Sequence, residues 1–234
     1  MTDNLPTNWE AQMAADAKKI LEQERPALSI MSIKSGVMTI GGEPVPNNEL
    51  DCVVVGSAAE MVYYTTKYDP DVRTNPDCYA IGDCRTEELA PHPDATNKQA
   101  ESCAACPNFQ WGSDPGGGRG KACRERRRLA LMPADGSAEM CLLSIPSMSI
   151  KNWSNFVRET VATTGKPPAA AICKIKVVPS TRSMIEVKFS YVGPVPEHTL
   201  AAVMAKRGPA MDAILAPYPP IEEETVKPKG KRKY

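Results

Sequence analysis

The apolar positions change period several times along the chain. Trp9, Met13, Ala17, Ile20 and Leu21 recur at helical spacing, which predicts a helix over 8–24 within an N-terminal block 1–26. Thr7 or Asn8 can cap it and Pro26 stops it. Ala27–Ile33 and Val37–Ile40 flank Lys34-Ser35-Gly36 and predict a hairpin. Cys52–Val55 and Glu60–Thr66 predict two further strands, the second ended by the turn at Tyr68-Asp69-Pro70-Asp71. Strand character returns at Leu129–Met132 and Met140–Ile145, joined through Asp135-Gly136.

A second helix is predicted over 148–163, with Ser147 as N-cap, Ile150, Trp153, Val157 and Val161 on one face, and Gly165 as the stop. Ala170–Val178 and Met184–Val192 both alternate. Cys173, Ile175 and Val177 share one face of this hairpin, while Lys174 and Lys176 share the other. A short helical pattern in 196–217 runs through Leu200, Val203, Met204, Ile214 and Leu215. Residues 218–234 are rich in proline and charge and predict a disordered tail.

Residues 74–126 differ in kind. They hold few aliphatic side chains, many turn formers and five of the cysteines, so they need a cross-link in place of a core. The organisation predicted is a mainly β domain with flanking helices (α+β), its core formed by 27–73 and 127–195, with 74–126 inserted as a lobe.

The chain has 234 residues, 42% of them hydrophobic, enough for a core, and no apolar run long enough for a membrane span. No secretory signal is apparent, and a cytoplasmic location is the expectation. Eight cysteines in that setting point to metal rather than disulfides. Lys and Arg balance Asp and Glu at 28 each, but 1–118 is strongly acidic and 119–234 strongly basic. A basic half points to a polyanion.

Cys103 and Cys106 have the two-residue gap of a zinc knuckle, and Cys123 can close the site from beyond a glycine-rich loop. On spacing alone the fourth ligand is Cys78, favoured by its place after the turn Asn75-Pro76-Asp77, or else Cys84 or His92. Four protein ligands leave no open position, so such a zinc is structural, one per chain. Cys52, Cys141 and Cys173 lie in apolar runs and read as core.

Arg119, Lys121, Arg124, Arg126, Arg127 and Arg128 surround Cys123, and Phe109 and Trp111 flank them. Cations beside aromatic rings suit phosphate contact combined with base stacking. Tyr64 with Lys67 and Arg73 nearby forms a second set, and Lys174, Lys176 and Lys188 a third basic patch. The run Gly116 to Lys121 approaches a phosphate loop, but Pro115 and Ala122 stand where that motif needs Gly and Ser or Thr. No catalytic constellation is apparent, and no enzymatic activity is expected.

Several runs together resemble a group of bacteriophage single-stranded-DNA-binding proteins. They are Met31 to Gly42, Tyr68-Asp69-Pro70-Asp71, Cys78 to Gly82, Cys103 and Cys106 with Pro107, Trp111-Gly112-Ser113, and Gly120-Lys121-Ala122-Cys123-Arg124. The resemblance covers roughly 28–195. It implies an OB-like barrel with an inserted zinc-binding lobe, Cys78, Cys103, Cys106 and Cys123 as the ligands, and a role in DNA replication or recombination with partner proteins of those processes. The chain departs from that group at its end, where Glu222-Glu223-Glu224 gives way to a basic run, Lys227 to Tyr234.

Two further readings compete. One is a zinc-bearing module for protein interaction or transcription regulation. The other is a nuclease using Asp69 and Asp71, which more simply cap their turn.

Overall fold

The computed structural model describes residues 28–66, 74–134, 140–181 and 184–219, together with Trp9, Gln12, Met13 and Asp16. Those four residues are helical; the rest of the helix predicted over 8–24 lies outside the described residues, as do Lys67, Tyr68, Asp69, Asp71, Arg73, the Asp135-Gly136 turn and the tail from 220. The protein is mainly β, with strands β1 (Ser29–Lys34), β2 (Val37–Ile40), β3 (Glu43–Pro44), β4 (Glu49–Tyr63), β5 (Cys78–Gly82), β6 (Arg124–Pro133), β7 (Cys141–Pro146), β8 (Ala171–Ser180) and β9 (Met184–Pro194). Helix α1 (Ser147–Thr164) follows β7, and α2 (Glu197–Leu215) follows β9. No helix among the described residues is long and apolar enough to cross a membrane.

All nine strands belong to one sheet in the order β3-β2-β1-β7-β6-β4-β8-β9, with β5 added alongside β4. Every pairing is antiparallel except β1 with β7. The sheet curls into a half-barrel, because residues near its two ends share one core. Met31 and Met38 pack with Val177 and Val187, around Phe156 and Trp153 of α1. The first hairpin turns through Ser35 and Gly36, both at positive φ, which explains the Ser-Gly pair there.

The long strand β4 organises the molecule. Its run from Cys52 to Val62 pairs with β6, while its opposite edge takes β8 over Glu49–Val53 and β5 over Ala59–Tyr63. The sequence pattern predicts two strands here; the structure has one, interrupted only by a bulge between Val54 and Gly56. The glycine at the bulge has a packing cause. A Cβ on Gly56 would stand 3.0 Å from Met211 Sδ and 3.3 Å from Ile214 Cδ1, so the glycine marks a close crossing by α2 and not the end of a strand. Gly56→Val should therefore destabilise the fold by about 1–3 kcal/mol through overpacking, measured by urea unfolding.

The face of α1 is rotated from the predicted one. Ser149, Trp153, Phe156 and Thr160 are buried, whereas Val161 is exposed. Edge strand β9 supplies the reason. Its Val187 N–H donates to Ser149 Oγ at 2.9 Å, and its carbonyl accepts from Asn152 Nδ2 at 2.9 Å. Polar side chains of α1 thus satisfy backbone groups that no further strand pairs. Gly165, at φ 66°, ends the helix as predicted. Ser147 is the first helical residue and not the cap; its hydroxyl bonds the Glu125 carbonyl.

Candidate functional site

The segment between β5 and β6 wraps the end of the β4–β5 pair. Short 3-10 turns at Thr86–Glu88 and Pro107–Phe109 punctuate it. Backbone bonds set its cysteines: Cys103 N–H donates to Leu89 O at 3.0 Å, Cys106 N–H to Cys103 O at 3.2 Å, and Cys123 N–H to Asn108 O at 2.7 Å. Cys78 opens β5 on the sheet itself. These four cysteines are free and buried, and all four line one cavity of about 20 Å³, room for a single small occupant, walled by Met61, Tyr63 and Phe109. Burial, reinforced by the neighbouring thiols, pushes Cys103 up to about 11 and Cys123 up to about 12.

The other two candidate ligands stand elsewhere. Cys84 is exposed and outside the cavity wall. His92 stacks on Tyr79 at 5.0 Å, and its Nδ1 accepts from the Asp94 N–H at 3.1 Å. Among the described residues no three His, Cys, Asp or Glu side chains are drawn together as a formed ion site. The donor chemistry of the cavity nonetheless fits a thiophilic ion, since four cysteines and no carboxylate line it.

The glycine-rich loop is closed on itself. Gly112 and Asp114 N–H both donate to the Gly120 carbonyl, at 2.9 and 3.3 Å, and Gly116 N–H donates to Asp114 Oδ1 at 2.9 Å. A carboxylate thus takes a donor that a phosphate loop would offer its anion. The loop presents Trp111, which is 79% exposed. Lys121 Nζ lies 3.5 Å from the Phe109 ring centroid and 5.1 Å from that of Trp111, and Arg119 shares a shallow groove with Trp111. Phe109 is half-buried against the cysteine cluster and covered by Lys121, so Trp111 is the ring of this pair that is open to a partner.

The cationic run does not form one strip. Arg124 to Arg128 lie in β6, whose alternation puts Arg124, Arg126 and Arg128 on one face and Arg127 with Glu125 on the other. Arg128 is turned inward. Its Nε donates to Glu60 Oε1 at 2.7 Å and its Nη1 to the carbonyls of Ile214 and Ala216 at 3.1 and 2.7 Å. It thereby caps the end of α2 and is not free for phosphate. Arg126 stands near Tyr64, whose hydroxyl pKa is raised by burial and drawn partly back by that guanidinium, and Arg124 is exposed. Arg127 Nε is buried without a partner among the described residues.

The third predicted patch is largely neutralised. Register sets Glu49 opposite Lys176 and Asp51 opposite Lys174. Lys176 pairs with Glu49, and Lys174 Nζ lies 3.5 Å from Asp51 Oδ1 and 3.7 Å from Glu49 Oε2. Those lysines hold Glu49 below the usual carboxylate range. Lys188, opposite Lys176, stays exposed.

Sequence reasoning missed Tyr218. Assigned to the tail, it is held against the sheet: its hydroxyl donates to Glu60 Oε1 at 2.6 Å, its ring meets Tyr79 edge-on at 5.0 Å, and Arg128 lies 4.8 Å over it. Asn75 Nδ2 donates to the next residue's carbonyl, Pro219 O, at 2.7 Å. A signal existed in Glu60, an acid within the apolar run Val53–Val62, which a folded chain has to pair. No protein-family model matches the chain, and neither does any curated protein or solved structure.

Proposed function

We propose that this chain is a non-enzymatic single-stranded-DNA-binding protein, of the kind that serves DNA replication or recombination, whose cysteine lobe is closed by a structural zinc on Cys78, Cys103, Cys106 and Cys123. The curled sheet is read as an OB-type barrel, a scaffold on which loops and one face grip a single strand. The observation that carries the reading is Trp111, a large aromatic ring 79% exposed on a closed loop, with Lys121 and Arg119 beside it. An isolated exposed tryptophan costs solubility; flanked by cations it offers a base a stacking surface and its phosphate a counter-charge. Arg124 and Arg126, with Tyr64, extend the cationic surface along β6.

Fluorescence titration of labelled oligo-dT at two salt concentrations tests this. Trp111→Ala should weaken binding by roughly 1–3 kcal/mol with an unchanged salt slope, because stacking releases no counterions. Its melting temperature should stay at the parent value, since the exposed ring contributes little to the core. Replacing Arg124 and Arg126 together with Ala should instead flatten the slope by about 1.4. Parent protein that binds duplex and oligo-dT equally weakly, with neither variant differing, would overturn the reading.

A further inference from the structure

We propose that Lys121 is a positioning residue for Trp111, and that Arg119 is the cation of this loop that meets phosphate. The assignment rests on the nucleic-acid reading above and deepens it by dividing two roles between two neighbouring cations.

Three side chains form a column. Phe109 helps to wall the cysteine cavity, and Lys121 covers its ring. The Lys121 ammonium stands 3.5 Å from the Phe109 centroid and 5.1 Å from that of Trp111. Both distances lie inside the reach of about 6 Å at which an aromatic face holds a cation.

The backbone fixes this order. Phe109 N–H donates to Cys106 O at 3.0 Å and Cys123 N–H to Asn108 O at 2.7 Å, which seats the first ring on the cysteine cluster. Gly112 N–H donates to Gly120 O at 2.9 Å, and Ala122 N–H to Ser113 Oγ at 3.0 Å. Lys121 is thus carried between two residues that are both bonded to the limb bearing the two rings.

Moving this ammonium to a phosphate would give up both ring contacts and uncover Phe109. Left in place, it restrains an exposed indole that a stacking base would otherwise have to order as it bound. Arg119 is placed differently. It is exposed, shares the shallow groove with Trp111, and makes no ion pair among the described residues. The nearby Asp114 uses Oδ1 to accept the Gly116 N–H. The Arg119 guanidinium can take a phosphate through two parallel bonds, a geometry an ammonium lacks.

The test joins oligo-dT titration over a salt series to the nanosecond mobility of Trp111, read by fluorescence anisotropy. A Trp9→Phe background isolates that signal, because the remaining tryptophan, Trp153, is buried. Lys121→Gln should raise Trp111 mobility and weaken oligo-dT binding several-fold, with the salt slope at the parent value. Lys121→Arg, which keeps a cation over the rings, should restore both. Arg119→Gln should flatten the slope by about 0.7 and leave Trp111 mobility unchanged. A slope flattened by about 0.7 in Lys121→Gln, with Trp111 no more mobile, would make Lys121 a phosphate contact and overturn the inference alone. Parent-like binding by Lys121→Gln would also overturn it. A parent chain that does not bind oligo-dT overturns the nucleic-acid reading and this inference together.

Discussion

Glu60→Ala should lower the stability of the protein by about 3–5 kcal/mol, the usual cost of stripping the partner from a buried ion pair. For a chain of this size that corresponds to a fall in melting temperature of roughly 6–20 °C. The carboxylate is fully buried. Its Oε1 receives Arg128 Nε and the Tyr218 hydroxyl, and its Oε2 receives the Ser144 hydroxyl at 2.9 Å. Removing it leaves a largely buried guanidinium with the carbonyls of Ile214 and Ala216 and the Tyr218 ring but no counter-charge. Arg128→Ala should cost a similar amount for the mirror reason, and its oligo-dT salt slope should match the parent's. Replacing both charges with apolar residues of similar volume should be milder than either single change. The Tyr218 contact also has a pH signature. Burial, with Glu60 alongside, holds the Tyr218 hydroxyl well above its ordinary value near 10. Its contribution is present below the unfolded tyrosine pKa and is lost as pH rises beyond it. Thermal melts of the single variants within about 0.5 kcal/mol of the parent would sink this account.

The second expected result is one zinc per chain by elemental analysis of protein purified without chelator. Structural zinc sites of this type contribute on the order of 10–16 kcal/mol at neutral pH, and the lobe has little core to replace it. A strong chelator, or Cys103→Ser, should melt the lobe while the strand signal of the sheet persists in circular dichroism. The pH dependence should change sign with metal. In the metal-free fold Cys103 and Cys123, pushed up to about 11 and about 12, are neutral thiols at pH 7. Their folded values exceed the unfolded one, so this stabilisation is full below the unfolded thiol pKa and is lost as pH rises towards 11–12. Zinc takes thiolates and expels those protons, so the loaded lobe should instead loosen as pH falls. Protein devoid of zinc, with a lobe indifferent to chelator, would remove the metal from the proposal.

Local signals were legible and cross-strand ones were not. The Ser35-Gly36 turn and the Gly165 stop follow from backbone freedom within a few residues, and both stand where the pattern puts them. The alternation of Cys173, Ile175 and Val177 likewise identified a buried face. The cavity also gathers Cys78, Cys103, Cys106 and Cys123, the set that spacing and resemblance favoured. Partners brought by register were invisible. Nothing near Lys174 or Lys176 in sequence announces Glu49 and Asp51, and nothing near Arg128 announces Glu60. A cationic run therefore looked like one surface when β alternation divides it between two. Ser149 and Asn152 were hidden for the same reason, because their partner is an edge strand reached only after α1 has ended.

The parallel pairing of β1 with β7 sets an order of assembly. Ser29 meets Cys141 and Met31 meets Leu143, so the first hairpin can close its own turn early but has no seat until β6 and β7 exist. Closing so long a loop is entropically costly and slow. The hairpin, made before β6 and β7, thus docks late, and until then Met31 and Met38, fully buried in the finished fold, remain open to water and to other chains. During synthesis the hairpin of β1 and β2 is a vulnerable surface, a hazard set by chain connectivity.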